Sequence, residues 1–448
     1  SACQGQMSSI ALVDHQESPP AKDTHMVHHS TETEPSPGVK PVTQPLSVAR
    51  LLGLGLSTRF FIDTGIQIFM PFLPVIAAGL GVDIITMGRL VSLRSATGLM
   101  APLFGVMADR RGYRTVMRLG LMLNAVGFLL IGLSVNLPMA VVGMLLTGMG
   151  TFAFLPSIQA YVSARLPYAI RGRGLGILEY AWALSGIGGL FLAGLLIAAT
   201  SWRVPFYLLS LSMFFFWLLY LRLPAAVVRT PQPAPSSSAT QAAARPSPIY
   251  RLRRFANLGA QHGSAWANVL AAGLIMFSAM HVMITYGAWL GAEYGLGASL
   301  LGRVALVLGV ADLLASGLVS LFTDRLGKRR SVMTGVILAL GGYLLLPFLN
   351  MSLLSALVGL LVVRFAFEFS IVSNFALLSE QVPAQRGKVL TLGVTGNLLG
   401  TTLAGITGPW AYAVWGVWGL GWPAAGAVAV ALLVLWVWVR EPEAREGD

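Results

Sequence analysis

The sequence predicts an all-α membrane protein with twelve transmembrane helices in two six-helix, pseudo-symmetric halves. Three observations predict it. From Leu46 onward, apolar stretches alternate with short polar breaks, and about 20 apolar residues are enough to cross a bilayer as a helix. Lys and Arg collect in alternate breaks. An Asp-Arg-x-Gly-x-Arg core occurs twice, once in each half. Composition agrees: the 448 residues are 55% hydrophobic and 11% charged, against roughly 25% charged in soluble proteins. Folded in water, such a chain would expose far too much apolar surface.

The elements follow in order. Residues 1–46 are polar and rich in Pro, Ser, Thr and His; they cannot bury enough apolar surface to fold alone and are expected to be a disordered tail. His15, His25, His28 and His29 within it match no defined metal spacing. No cleavable signal peptide is expected, so the first span should direct insertion itself. Spans 1 to 6 are placed at 47–79, 84–108, 114–134, 137–164, 171–199 and 203–222. The break at 223–265 holds a Pro/Ser run, Thr230 to Ser238, and then Arg251, Arg253 and Arg254. It reads as a flexible linker leading into a short amphipathic surface segment. Spans 7 to 12 are placed at 266–292, 301–323, 329–349, 351–380, 386–413 and 416–440, followed by a tail at 441–448. The expected domains are therefore bundles 47–222 and 266–440.

The formal charge of +12 does not indicate a nucleic-acid partner, because the basic residues form no single stripe. In a twelve-span model, Arg89, Arg203 and Arg303 face one side, and Arg59, Arg94 and Arg364 lie within spans. All the other Lys and Arg face the opposite side. Basic loops stay in the cytoplasm, so both termini are expected there, with the protein in the cytoplasmic (plasma) membrane. The lone cysteine, Cys3, forms no intramolecular disulfide and no Cys-based metal site. There is no Gly-x-x-x-x-Gly-Lys-[Ser/Thr] phosphate loop and no Cys/His cluster within a span. No enzyme chemistry, catalytic residue, cofactor or metal is expected.

The repeat is specific. Gly105-Val-Met-Ala-Asp109-Arg110-Arg-Gly112-Tyr-Arg114 is answered by Ser320-Leu-Phe-Thr-Asp324-Arg325-Leu-Gly327-Lys-Arg329, 215 residues later. Arg171-Gly172-Arg173 returns as Arg386-Gly387-Lys388 at the same offset. Duplicated six-span units are typical of transporter folds, with the site near mid-membrane between the halves. Gly105 to Arg114 resembles the loop 2–3 signature of the major facilitator superfamily, Gly-x-x-x-Asp-Arg-x-Gly-x-Arg-[Arg/Lys]. Only its final basic position departs, being Thr115, while the second copy has Ser320 for the first Gly and keeps Arg330. The resemblance covers roughly residues 47–440 and is closest to the twelve-helix drug and metabolite efflux branch. It implies a latch that shuts the cytoplasmic side, with Asp109 meeting the start of span 11 near Gly387 and Asp324 the start of span 5 near Gly172. On this reading Gly105, Asp109, Arg110, Gly112, Arg114, Asp324, Arg325, Gly327 and Arg329 are gate residues. The alternative is that they only fix topology and loop shape. Ser185-Gly186-Ile187-Gly188-Gly189 loosely resembles the span 5 signature of drug–proton antiporters. Its central Pro is absent, and Met144 stands where their span 4 arginine belongs.

Ionisable residues inside a span are costly and usually functional. Here they are Arg59 and Asp63 in span 1, Arg94 in span 2, Glu179 in span 5, Asp312 in span 8, and Arg364 with Glu368 in span 10. Arg59 with Asp63, and Arg364 with Glu368, are spaced i, i+4 and share a helix face. A carboxylate in a low-dielectric cavity, opposed by a nearby Arg, can take a proton in one conformation and release it in another. A static ion pair is the alternative in each case. Arg94 could pair with Asp63 or hold an anionic substrate, and Glu179 could pair with a loop Arg. Gln67, Tyr180, Trp182, His281, Tyr286 and Asn397 could line a cavity or simply pack.

The leading functional expectation is a proton-coupled exporter of small amphipathic molecules, sufficient as a monomer, with protons and the lipid bilayer as its other partners. Uptake of an anionic metabolite, and a non-transport assembly or sensor role on the same fold, are the alternatives.

Overall fold

The computed structural model describes residues 48–224, 257–258, 262–382 and 385–441, leaving out the side chains of 168, 169 and 320–325. The expected tails, nearly all of the linker with its arginines, and the side chains of Asp324 and Arg325 lie outside this set. The described residues contain twelve membrane-crossing rods and no strand. Ten of the rods are long and apolar enough to span a bilayer on that ground alone. Helix Val48–Gln67 of span 1 carries Arg50, Arg59 and Asp63, and span 9 (Lys328–Leu345) opens with Lys328, Arg329 and Arg330. Their charges lower a purely apolar score without shortening the rods.

Four spans expected to be continuous are interrupted, span 2 by a 3-10 turn at Thr97–Met100 between Ile84–Ala96 and Ala101–Arg111. Span 1 runs as Val48–Gln67 and resumes as Leu73–Leu80, with Pro74 in its first turn and Gly81 ending it at φ 69°. Span 7 does the same, as His262–Met283 and then Tyr286–Tyr294, ended by Gly295 at φ 65°. The break thus repeats in both halves although the residues at it differ. In span 5, Tyr168–Leu184 and Leu190–Ala199 are joined by a π turn at Ser185–Gly189. Single π turns inside α-helices are frequent at functional sites. Asp83 starts span 2 by accepting from the Thr86 N–H at 2.8 Å. The Thr86 hydroxyl first, and this N–H second, hold its exposed carboxyl below the usual carboxylate range.

The repeat also governs local structure. Gly112 and Gly327 turn the chain between spans 2 and 3 and between spans 8 and 9, at φ 85° and 84°. Only glycine adopts that region without strain. Arg114 donates to the Leu223 carbonyl, and Arg118 to the carbonyls of Tyr220 and Leu221, at the end of span 6. Arg329 donates to Leu435 and Trp436 at the end of span 12. Cations suit these helix C-termini, so the motif arginines hold three-span blocks together within each half. Gly112→Ala and Gly327→Ala should each destabilise the protein by about 1–3 kcal/mol, read as a lowered melting temperature in detergent. No change in melting would show that the turn relaxes freely.

The halves meet mainly at the end of the bundle away from the start of span 1, called here the far end. Span 2 packs on span 11, and the second part of span 5 on span 8. Gly287 of span 7 lies against the carbonyls of Met70 and Pro71 in the break of span 1. A Cβ on Gly194 would lie 2.7 Å from the Ala298 carbonyl. At the near end the opposite holds: a Cβ on Gly105, Gly172 or Gly387 would meet nothing within 4 Å. Close far-end packing and near-end openness fit a path between the halves that is shut at one end.

Candidate functional site

The membrane charges gather in two clusters. In the first half, span 1 places Arg59 and Asp63 one turn apart, with Arg59 reaching span 5. Arg59 Nη1 donates to Glu179 Oε1 at 2.6 Å and Nη2 to Oε2 at 3.1 Å. Glu179 therefore pairs with a span arginine rather than a loop arginine. Gln159 of span 4 adds a bond to Glu179 Oε1 at 2.8 Å. Arg59 Nε lies 3.6 Å from Asp63 Oδ2, too long for a hydrogen bond. Both carboxyl oxygens of Asp63 are buried and accept no hydrogen bond.

One turn beyond Asp63, Gln67 donates from Nε2 to the Trp182 carbonyl at 3.0 Å and to Ser185 Oγ at 2.6 Å. These bonds tie span 1 to the start of the π turn, and Gly189 at its end faces Thr64. Arg94 makes no ion pair with Asp63. Its Nε donates to Thr147 Oγ1 at 3.2 Å and its Nη2 points to Thr151 Oγ1 at 3.5 Å. Thr151 donates in turn to Asn124 Oδ1. Arg94 is 5% exposed, and among the described residues no carboxylate comes within ion-pair distance of it.

In the second half, Arg364 donates to Asp312, Nε to Oδ1 at 2.6 Å and Nη2 to Oδ2 at 2.5 Å. This two-pronged geometry is the strong form of the pair. Glu368, spaced to meet Arg364 along span 10, instead accepts from Ser316 of span 8 at 3.0 Å. Arg364 Nη1 is buried without a partner. Asp312 and Arg364 line a small cavity of about 20 Å³ between the halves, together with Gln67, Tyr286, Gly186 and Gly309. Met70, Leu190, Met283 and Leu308 supply an apolar wall. Its lining combines one ion pair, a guanidinium with a spare N–H and a phenol with a mostly apolar surface, the chemistry of small-molecule sites, but in this state the space holds about one water.

The remaining candidates scatter. His281 is fully buried, with Nδ1 3.0 Å from Thr407 Oγ1 and Nε2 2.9 Å from the Gly419 carbonyl. It ties spans 7, 11 and 12 together, away from the cavity. Asn397 is buried with its Oδ1 unpartnered. Tyr180 is 57% exposed. Asp109, Arg110 and Gly105 are exposed at the near end. Asp109 makes no hydrogen bond or ion pair among the described residues, and no neighbour approaches the Cβ position of Gly387. Sequence reasoning missed Thr147, Thr151, Gln159 and Ser316. Hydroxyls on membrane helices commonly bond their own backbone, so only the tertiary arrangement marks these as side-chain partners.

Twelve rods in two repeated halves, a small cavity between them lined by an ion pair, and paired charges at mid-span define a membrane transporter. Comparison with known proteins is specific about which kind. The Major Facilitator Superfamily model matches residues 55–383 and 268–448, and the chain belongs to that family. The uncharacterized MFS-type transporter YceJ of Bacillus subtilis (strain 168) is 26% identical over 359 residues, covering 79% of this chain and 87% of that one. The multidrug efflux pump SdrM of Staphylococcus aureus (strain N315) is 25% identical over 146 residues, 32% of this chain and 30% of that one. Among solved structures, a D-xylose-proton symporter superposes with a TM-score of 0.69 at 17% identity, covering 88% of this chain and 98% of the symporter. At that identity the likeness concerns the fold.

Proposed function

We propose that this transporter is a proton-coupled exporter of small amphipathic molecules, working as a monomer by alternating access in the cytoplasmic membrane. Bundles 47–222 and 266–440 would rock about the central cavity, joined by the linker at 223–265. The basic loops support a reading in which the near end and both termini face the cytoplasm. The open near end is then the cytoplasmic mouth, and the free Asp109 fits a latch that is released in this state. The match to the multidrug efflux pump over part of the chain supports export.

The observation that carries proton coupling is Asp63, buried with neither oxygen hydrogen-bonded. A buried carboxylate without donors is costly, and a proton removes that cost. Asp63 also sits one turn from Gln67 on the cavity wall, so cargo and proton report to the same stretch of span 1.

The test is accumulation of cationic, neutral and anionic fluorescent compounds in an efflux-deficient host. The native chain should lower accumulation of cationic or neutral compounds. A protonophore, or Asp63→Asn at matched expression, should return it to the level of cells without the transporter. Native-level export by Asp63→Asn would remove Asp63 as the proton site. Arg94 favours a second reading, uptake of an anionic metabolite, because among the described residues this buried cation has hydroxyls and the Phe69 ring beside it and no carboxylate within ion-pair distance. Raised accumulation of the anionic compounds, lost in Arg94→Gln, would select that reading.

A further inference from the structure

Arg59 stands between two carboxylates that differ in access. Glu179, whose side chain is 55% exposed, occupies both ends of its fork. Asp63, whose side chain is 1% exposed, is left facing Nε at 3.6 Å, and Nε itself makes no hydrogen bond. A guanidinium fork matches one carboxylate at a time. Asp63 lies one turn along the same helix, so Arg59 can re-aim by rotating its side chain, without movement of the span 1 backbone.

We propose that Glu179 is a positioning residue that decides when Asp63 holds a proton, by competing with it for the Arg59 fork. This rests on the reading of Asp63 as the proton site. While Glu179 holds the fork, Asp63 keeps only the 3.6 Å ion-pair approach of Arg59 Nε and no hydrogen bond, and the neutral acid suits its pocket. When Glu179 is neutralised, or is carried away with span 5, the fork turns to Asp63. Asp63 then gives its proton to water at the near end and remains as a paired carboxylate. Span 5 carries the π turn at Ser185–Gly189 shortly past Glu179. Gln67 bonds both that turn and the Trp182 carbonyl before it, so a change in the cavity at Gln67 is transmitted to Glu179. The other charged group acting on Asp63 is Arg94 of span 2. Span 4 faces the cluster with the neutral Gln159, and span 6 (Val204–Leu221) carries no charged residue.

The test is infrared difference spectroscopy of the purified full-length protein in lipid, titrated with pH and without cargo. The Asp63 carboxyl band is identified by its loss in Asp63→Asn. In Glu179→Gln its midpoint should move to lower pH by about one unit or more. Glu179→Asp keeps the charge but shortens the reach, and should shift it less. In an Arg59→Gln background, the effect of Glu179→Gln should largely vanish, as a double-mutant cycle requires of groups acting through one another. An equal shift with and without Arg59 would mean plain charge repulsion and would overturn the competition, as would no shift in Glu179→Gln. Melting curves matched to the native chain identify which variants are folded, and Glu179→Asp preserves the test if Glu179→Gln is not. If no band is lost in Asp63→Asn, the proton-site reading fails with this inference. A band that titrates but ignores Glu179 sinks the inference alone.

Discussion

Asp312→Ala should lower the unfolding free energy by about 3–5 kcal/mol, the usual effect of stripping one partner from a buried ion pair. Arg364 and Asp312 have side chains only 4% and 5% exposed, and both carboxyl oxygens are taken by the guanidinium. With Asp312 gone, Arg364 keeps its charge and loses its counter-ion. Glu368 is on the next turn but is held by Ser316. Replacing both partners, as Asp312→Leu with Arg364→Met, removes both desolvated charges together and should recover most of the loss. Denaturant or thermal unfolding in detergent of the single and double variants measures this. A loss below about 1 kcal/mol in Asp312→Ala would mean that Glu368 has swung over to take the fork, or that water solvates it. The double variant should also make the cavity less polar, so cargo that uses the spare Arg364 N–H should lose transport even where the fold is sound.

Gly194→Val should open the far end. The added Cβ would lie 2.7 Å from the Ala298 carbonyl and 2.9 Å from the Gly302 Cα. Both are backbone atoms, which cannot turn aside as a side chain can. Spans 5 and 8 must separate where the halves are closed. Overpacking of this kind costs about 1–3 kcal/mol. If alternating access has two states, and only this one makes the contact, their ratio shifts by about 5- to 150-fold. The readout is a single cysteine at Met283, which is buried on the cavity wall, in a Cys3→Ser background. An impermeant thiol reagent added from the far side should label it slowly while Gly194 is intact, and at least several-fold faster in Gly194→Val. Unchanged labelling with a lower melting temperature would show destabilisation without opening.

These two sites mark the boundary of what could be read along the chain. The spans, the polar breaks and the duplication were legible because they rest on local signals: runs of apolar residues, basic loops and a motif repeated at one offset. The turns at Gly112 and Gly327 belong with them, since one residue type at one position reports a backbone angle. The interruptions of spans 1, 2, 5 and 7 are not legible in the sequence. An apolar run reads the same whether or not its helix breaks, and the breaks form where the halves press together. The pairings were legible only in part. The i, i+4 rule brought Arg59 toward Asp63 but also suggested Arg364 with Glu368, whereas the fork of Arg364 goes to Asp312 on another span. Glu179 was marked as unusual without its partner, and Arg94 without its hydroxyls. His281 reads as either a cavity liner or a packing residue, and the structure gives its ring two partners more than a hundred residues away.

The sequence by itself determined that the chain crosses a membrane twelve times as a doubled six-helix unit, and which few residues carry charge into the bilayer. Each of these follows from transfer free energies and spacing, which act over one helix at a time. Only the tertiary structure decided which charges meet, which stay unpaired and which end of the path is closed. A fork reaching a carboxylate within 3 Å depends on the depth and rotation of two helices at once, and those are set by packing between segments far apart in the chain.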